Sequence, residues 1–173
     1  MNKIKPEENG FVNVIIETPR GSCSKYDSDF ELETFKLDKV LPLGMEFPFD
    51  FGFVPNTKGE DGDPLDVLVM MDEAGFAGCL VVCRIVGVLE ALQTEGDGKQ
   101  MRNDRIIAVA SVSNLYEKID GIASLGENIL NGIESFFINY NKLAGKEFKP
   151  LGWHDATAAL KLISKNALNT HVF

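Results

Sequence analysis

The spacing of apolar residues changes about two thirds of the way along this chain, and that change constrains its fold most strongly. Up to residue 112, short apolar runs alternate with turn signals, which predicts strands at 11–17, 30–37, 47–54, 67–71, 79–92 and 105–112 and a hairpin turn at 96–98. From Ile129 to Leu143 apolar residues recur every three or four positions, and Gly145 ends this helical pattern. A second helix is predicted to begin after Asp155 as its N-cap and to run through Ile163. Strands first and helices last predict an α+β fold, with helices packed against a small β-barrel.

The length and charge of the chain narrow the classes of protein to which it can belong. With 173 residues, 45% of them hydrophobic and 25% charged, it is composed like one ordinary globular domain, which we expect to span residues 1–173. The 17 Lys and Arg against 26 Asp and Glu give a net charge of −9. Nucleic acids and anionic membranes reward clustered positive charge, so neither is an expected partner. A small anionic substrate is compatible with this charge if a metal cation accompanies it.

The N-terminus, the cysteines and the histidines bear on compartment and chemistry. The first ten residues contain no apolar core of a secretory signal, and the most apolar long run, 76–92, is interrupted by Arg84 and glycines. Three cysteines without a C-x-x-C pair are typical of free thiols in a reducing cytoplasm and disfavour a zinc site. His154 and His171 are distant in sequence from any obvious nucleophile, which disfavours a serine or cysteine hydrolase.

An acidic segment between two predicted strands contains the most informative chemistry. Asp61, Asp63 and Asp66 place three carboxylates within six residues. Pro64 favours extended backbone at Asp63, and Gly62 permits a tight turn between the first two acids. Like charges this close repel one another unless a cation gathers them, and hard oxygen ligands suit Mg²⁺ or Mn²⁺.

Two other interpretations of the acidic segment are open. A polar turn with aspartate caps is the commoner explanation for a generic Asp-rich loop. A calcium-binding EF-hand loop would match Asp61 and Asp63 at its first and third positions. However, Asp66 stands where that loop requires Gly, no Glu occupies the twelfth position, and strands flank the segment.

The same segment, DGDPLDVLV, closely resembles the signature of the soluble inorganic pyrophosphatases, a Mg²⁺-dependent family. The resemblance covers most of the chain and follows the order of the family. It includes VIIETP at 14–19, KY at 25–26, FPxxFGF at 47–53, CRxVGVL at 83–89, the strand after Arg105, FFxxY at 136–140 and GW at 152–153. It implies an OB-like five-stranded β-barrel with additional strands and two C-terminal α-helices.

The resemblance also implies roles for individual residues. Asp61 and Asp66 match ligands of a tightly bound metal pair, and Asp63 matches the acid that helps to deprotonate the attacking water. Glu17 matches an acid at the end of the first strand. The expected catalytic residues are Asp63, Lys25 and Lys39; the expected substrate-binding residues are Lys25, Lys39, Arg105, Tyr140 and Lys142; the expected metal-binding residues are Asp61, Asp66, Asp97, Asp104 and Asp27.

The segment after the hairpin turn departs from the family pattern. Alignment of the following strand places Asn103 where Asp is expected and Arg105 where Lys is expected. Asp104 is one residue away, which on an extended backbone points its carboxylate to the other face unless a bulge re-aims it. We expect Asp104 to be the ligand, since Asn103 would supply only a neutral amide oxygen. Asp97 is expected to supply a remaining ligand from the turn.

Four further positions depart from the pattern. Phe47 and Phe51 stand where the family usually has tyrosines, so the hydroxyl that commonly touches phosphate is missing at Phe51. Asn141 replaces the Lys that usually follows Tyr140, and Lys142 lies one position further along. One residue turns a helix by about 100°, so the sequence leaves it open whether Lys142 reaches the site. Lys39 occupies a place that is usually Arg.

The resemblance implies a cytoplasmic enzyme that hydrolyses inorganic pyrophosphate to two phosphates with Mg²⁺, Mn²⁺ or another divalent cation. It also implies a homo-oligomer. Two alternatives are kept: a hydrolase of the same fold acting on another phosphoanhydride, and a divergent, non-catalytic member that binds phosphate or a protein partner.

Overall fold

Ten strands and two α-helices make up the computed structural model, which describes residues 4–168. The strands are β1 (Glu7–Glu8), β2 (Phe11–Thr18), β3 (Ser24–Asp29), β4 (Thr34–Val40), β5 (Asp50–Phe53), β6 (Asp66–Met70), β7 (Leu80–Thr94), β8 (Gln100–Arg102), β9 (Arg105–Ala110) and β10 (Glu147–Asp155). The helices are α1 (Glu127–Leu143) and α2 (Ala156–Asn166), and a 3₁₀ turn at Ile122–Leu125 precedes α1. Strands β2, β5, β6, β9 and β7 pair in that order, and β7 pairs with β2, which closes the ring. Of these pairs, β6 with β9 is parallel and the others are antiparallel.

This ring and the two helices confirm the predicted α+β fold with an OB-like five-stranded barrel. The additional strands are β1, β8 and β10, which extend the same sheet, and the separate hairpin β3–β4. At 15 residues, β7 is long enough to pair with β2 and β9 in the barrel and with β8 and β10 beyond it.

Side-chain alternation along the barrel strands produces two cores. Val67 and Val69 of β6 belong to one core with residues from β2, β7, β9 and α2, whereas Leu68 and Met70 belong to the other. The second core lies beneath α1, whose Ile133 and Phe137 are almost fully buried. Because successive strand residues point to opposite faces, one strand supplies both cores. The helix α1 is thereby fixed against the barrel wall that also carries the aromatic strand β5.

Both predicted helices are confirmed, and their ends follow local signals. The Asp155 side chain accepts a hydrogen bond from the Ala158 N–H at 2.9 Å, as an N-cap does. Helix α1 ends before Gly145, whose φ of 73° is left-handed. The N–H groups of Gly145 and Lys146 donate to the carbonyls of Lys142 and Asn141, a pattern known as the Schellman motif.

The sequence did not predict β3 or β10. β3 reads SKYDSD, without an apolar run, and the predicted strand at 30–37 begins in the turn that follows β3. β10 contains Pro150 and Gly152, at which its register with β7 shifts. Each strand is stabilised by its partner, β4 for β3 and β7 for β10, and the propensity of its own residues does not reveal that pairing.

Gly52 is required where β5 pairs closely with β2. A Cβ at this position would lie 2.0 Å from the carbonyl oxygen of Ile15, a separation that no side chain tolerates. The close approach places the flanking rings of Phe51 and Phe53 along the site described below.

Within residues 4–168, no helix has both the length and the apolar character needed to cross a bilayer. The three cysteines of the chain, Cys23, Cys79 and Cys83, are free thiols. His171 lies outside the described residues.

Candidate active site

Most of the predicted site residues line one cavity of about 690 Å³. Its walls come from hairpin β3–β4, the acidic loop 59–66, strands β7 and β9, and the C-terminal end of α1. Eight predicted residues share the lining, namely Lys25, Asp27, Lys39, Asp61, Asp63, Asp66, Arg105 and Tyr140. Three predicted residues are absent from it, namely Asp97, Asp104 and Lys142.

The acidic loop holds its carboxylates by backbone hydrogen bonds. The Asp63 N–H donates to Oδ1 of Asp61 at 3.1 Å, and the Asp63 carbonyl accepts from the Gly59 N–H at 2.7 Å. Gly62 has a φ of 95°, which permits the tight turn that its position predicted. The Asp63 carboxylate is exposed at the cavity and bonds to no other residue in 4–168. Its oxygens are therefore open to contact with a molecule in the cavity.

Asp66, the first residue of β6, is the most strongly perturbed acid of the site. Its Oδ2 lies 2.5 Å from the Arg105 guanidinium. Burial raises the pKa of Asp66 to about 6, although the charges of Arg105 and Lys25 oppose this rise. Burial also raises the pKa of Asp61. A positive charge near these two carboxylates therefore stabilises their ionised forms.

The donor chemistry of the cavity fits a divalent metal ion. Among residues 4–168, no three His, Cys, Asp or Glu side chains converge into a closed metal cage. Mg²⁺, however, usually binds one or two carboxylates and completes its shell with water and substrate phosphates. Asp61 and Asp66 offer such a pair of hard oxygen donors in one cavity.

Lys25 is a buried cation in a dense ionic network. Its side chain is 9% exposed, and its Nζ lies 3.6 Å from Glu17 and in contact with Asp27. Burial alone would lower the pKa of Lys25, but the carboxylates of Glu17 and Asp27 outweigh it and raise the pKa overall. Glu17 is itself held by the N–H and hydroxyl of Ser28, both at 2.8 Å. The ammonium is thus kept charged and fixed in direction, above the face of Phe51 at 5.2 Å.

Lys39 and Tyr140 meet at the mouth of the cavity. The Lys39 ammonium lies 5.1 Å from the centre of the Tyr140 ring and 3.2 Å from Asp38. Deeper in the cavity, the Arg105 guanidinium stacks 4.8 Å from the Phe137 ring centre. Aromatic faces therefore orient both cations.

The structure places Asn103, and not Asp104, in the cavity. Asn103 donates to Gln93 Oε1 at 3.0 Å and accepts a hydrogen bond from Arg105. Asp104 accepts from the Ala91 N–H at 2.9 Å and from two nitrogens of Arg102, both at 3.0 Å. The expected re-aiming of Asp104 is wrong, because no bulge reverses the alternation of side chains here. Asp104 instead lines a second, adjoining cavity of about 450 Å³, which shares Asp61, Asp66 and Asn103 with the first.

Asp97 and Lys142 are also placed away from the cavity. Asp97 lies in the tight turn between β7 and β8, where its carboxylate accepts from the Lys99 N–H at 2.9 Å. Asn141 faces inward, with its amide donating to the Phe137 carbonyl at 2.9 Å, so the next residue on the helix, Lys142, turns outward.

Sequence reasoning missed several lining residues on the far side of the cavity. Gln93, Glu95 and Lys146 all lie there. Two sequence features bear on these residues. The full extent of β7 places Gln93 and Glu95, and Gly145 fixes Lys146 at the end of α1. Gly145 was recognised as the end of the helix, but the placement of Lys146 beside β7 depends on the pairing of β10 with β7.

The aromatic strand lies against the cavity as the resemblance implied. Phe47 and Phe51 line it, yet they are 1% and 4% exposed because they also pack in the second core. Their ring centres are 5.5 Å apart, and Phe51 contacts Phe137.

Comparison with known proteins identifies the family of this chain. A family model described as inorganic pyrophosphatase matches residues 14–170. The inorganic pyrophosphatase of Synechocystis is 39% identical over 92% of this chain and 92% of its own. The crystal structure of the inorganic pyrophosphatase from Thermus thermophilus matches with a TM-score of 0.85 and 34% identity over 94% of each chain. The Helicobacter pylori inorganic pyrophosphatase gives a TM-score of 0.84 and 32% identity over 95% of this chain and 96% of that chain. The chain belongs to the inorganic pyrophosphatase family.

Proposed function

We propose that this protein hydrolyses inorganic pyrophosphate to two phosphates with Mg²⁺ as its preferred cofactor, Mn²⁺ or another divalent cation being a substitute. The observation that carries this proposal is the convergence of three aspartates with Lys25, Lys39 and Arg105 on one cavity. Carboxylates alone would repel a phosphate anion, and cations alone would not activate water. The relatives described above are named for the same activity.

In the proposed reaction, the oxygen of a water molecule attacks one phosphorus of pyrophosphate. The bond from that phosphorus to the bridging oxygen breaks, and the leaving phosphate keeps the electron pair. Asp63 takes a proton from the attacking water, since its carboxylate is exposed in the cavity and bonded to no described side chain. A divalent cation bound by Asp61 and Asp66 would lower the pKa of that water and neutralise phosphate oxygens.

The cationic side chains bind and orient the substrate. Lys25 and Lys39 approach from hairpin β3–β4, and Arg105 approaches from β9. Tyr140 supplies a hydroxyl at the same mouth. Positioned positive charge stabilises the charge that develops on the phosphate oxygens and the leaving group. Asp27 contributes by holding the Lys25 ammonium in place.

Phosphate release from purified protein tests this proposal. We expect rapid release from pyrophosphate with Mg²⁺, loss of activity with EDTA, and recovery when Mg²⁺ is restored. Slower release from tripolyphosphate and ATP would confirm pyrophosphate as the preferred phosphoanhydride. Faster release from ATP or tripolyphosphate would show that one of these, and not pyrophosphate, is the preferred substrate. No release from any of the three would contradict an enzymatic role.

We further propose that residues 1–173 act as one domain and that the protein is a cytoplasmic homo-oligomer. The pairing of β7 with four other strands supports a single domain. Exposed apolar side chains near the start of β7, Phe76, Leu80 and Val82, support self-association. A net charge of −9 gives no basis for nucleic acid or anionic membrane partners. Light scattering coupled to size exclusion measures the oligomeric state.

A further inference from the structure

Lys146 is a cation of the cavity to which neither the sequence pattern nor the proposed reaction assigns a role. Among the lining residues it is the cation contributed by the chain after β9. Its side chain is 37% exposed, so it lies at the mouth rather than in the core. The other cations of the lining, such as Lys25, Lys39 and Arg105, come from β3, β4 and β9.

The backbone of Lys146 is fixed on both sides. Its N–H donates to the Asn141 carbonyl at 2.9 Å, which closes the Schellman motif at the end of α1. The next residue, Glu147, begins β10 and pairs with Thr94 of β7. The position of the ammonium therefore follows from two rigid elements and not from a free loop.

The Lys146 ammonium pairs with the Glu95 carboxylate, which a second residue, Gln93, also holds. Its Nζ lies 3.0 Å from Oε1 of Glu95, and the same oxygen accepts from Gln93 Nε2 at 2.6 Å. Gln93 is 5% exposed and is bonded in turn to Asn103. Hydrogen bonds from Lys146 and Gln93 lower the pKa of Glu95, which keeps it charged. The hydrogen bond from Gln93 holds Glu95 independently of Lys146.

Little free energy is lost when another anion replaces Glu95 as the partner of the Lys146 ammonium. Ion pairs between partly exposed side chains contribute little to stability, because water screens them. A phosphate group carries more negative charge than one carboxylate and offers several acceptor oxygens. It therefore competes well with Glu95 for the ammonium.

We propose that Lys146 binds a phosphate group of the substrate or product at the cavity mouth, and that Glu95 holds the ammonium there until the anion displaces it. This inference rests on the proposed function for the identity of the anion. It assigns to Lys146 the cationic role that the sequence had placed on Lys142, which faces away from the cavity.

Steady-state kinetics and phosphate binding test this inference with matched variants. Lys146→Met should raise the KM for pyrophosphate about tenfold with a smaller change in kcat, and Lys146→Arg should restore most of the loss. Lys149→Met, an exposed lysine of β10 outside the cavity lining, is the control for loss of charge. Lys142→Met should behave like this control; a larger effect there than at Lys146 would overturn the assignment.

Glu95→Gln separates anion binding from a merely structural role. If Lys146 binds phosphate, removal of its competitor should lower KM, and this gain should vanish in the Lys146→Met background. If the pair only braces the β7–β8 hairpin, both single variants should shift KM and melting temperature in the same direction, which would overturn the proposal.

Calorimetry with inorganic phosphate and Mg²⁺ keeps the test independent of turnover. Phosphate should bind Lys146→Met more weakly and Glu95→Gln more tightly than the wild type. If wild-type protein fails to hydrolyse pyrophosphate but this order of phosphate affinities holds, the proposed function falls and the role of Lys146 stands. Equal phosphate affinities in all three proteins would contradict the inference.

Discussion

Two walls of the cavity are built in different ways. The loop wall, residues 59–66, takes three carboxylates from six consecutive positions, and short backbone bonds such as Asp63 N–H to Asp61 hold them. The strand wall consists of Gln93, Glu95, Asn103, Arg105 and Lys146, which three separate segments bring together. The loop wall is acidic and open to the cavity, whereas the strand wall is a hydrogen-bonded chain of amides and ion pairs. A local motif thus holds the carboxylates that we propose accept a proton and bind metal, whereas long-range pairing positions Arg105 and Lys146.

The largest expected effect is on the loop wall. Asp63→Asn keeps the shape and one acceptor oxygen but cannot take a proton, so we expect kcat for pyrophosphate to fall about 10²- to 10⁴-fold. The melting temperature should stay close to that of the wild type, because the carboxylate bonds to no described side chain. Near-wild-type turnover would remove Asp63 from the role of general base.

Substitutions in the strand wall should lower activity less than Asp63→Asn does, and the loss should depend on the charge removed. Arg105→Gln removes the cation that faces Asp66 at 2.5 Å, and we expect kcat/KM to fall about 10- to 100-fold. Arg105→Lys should recover much of this loss, since an ammonium also supplies the charge. Equal losses in the two variants would show that the planar guanidinium, which also bonds Asn103, matters more than its charge.

Asn103 and Asp104 test which face of the strand belongs to the site. Asn103→Ala should lower kcat/KM several-fold, because the bond that orients Arg105 is lost. Asp104→Ala should cost about 1–3 kcal/mol of folding free energy, since it removes the side-chain acceptor of the Ala91 N–H and leaves Arg102 with Glu90 as its remaining carboxylate partner. The concentration of Mg²⁺ for half-maximal activity should change little in Asp104→Ala. Denaturant unfolding measures the loss of stability, and titration of activity with Mg²⁺ measures metal binding. Weakened Mg²⁺ activation in Asp104→Ala but not in Asn103→Ala would place Asp104, and not Asn103, in the site.

The smallest effect is expected at Phe51, an aromatic residue that lines the cavity. Phe51→Tyr should leave pyrophosphate turnover unchanged or raise it, because Phe51 lines the cavity and the Lys25 ammonium lies 5.2 Å from its ring centre. A hydroxyl that finds no partner would cost about 1–3 kcal/mol. Thermal melting distinguishes the two, and a large fall in melting temperature would place the edge of Phe51 in the apolar core.

The sequence predicted the loop wall better than the strand wall for a physical reason. The Asp triplet, Gly62 and Pro64 act within one turn, so their order in the chain nearly determines their geometry. The helices α1 and α2 were predicted for the same reason, from periodicity and from Asp155 as a cap. In contrast, whether Asn103 or Asp104 faces the cavity depends on the register of β9 against β7, and Lys146 reaches it through the pairing of β10. Such long-range pairing leaves little trace in local composition.

A crystal structure of the protein grown with Mn²⁺ and inorganic phosphate tests the central claim most directly. We expect anomalous density for Mn²⁺ between Asp61 and Asp66, with phosphate bound against Lys25, Lys39 and Tyr140 in the same cavity. Mn²⁺ bound instead at Asp104 and Glu90 in the second cavity, or phosphate bound away from these cations, would contradict the assignment of the active site.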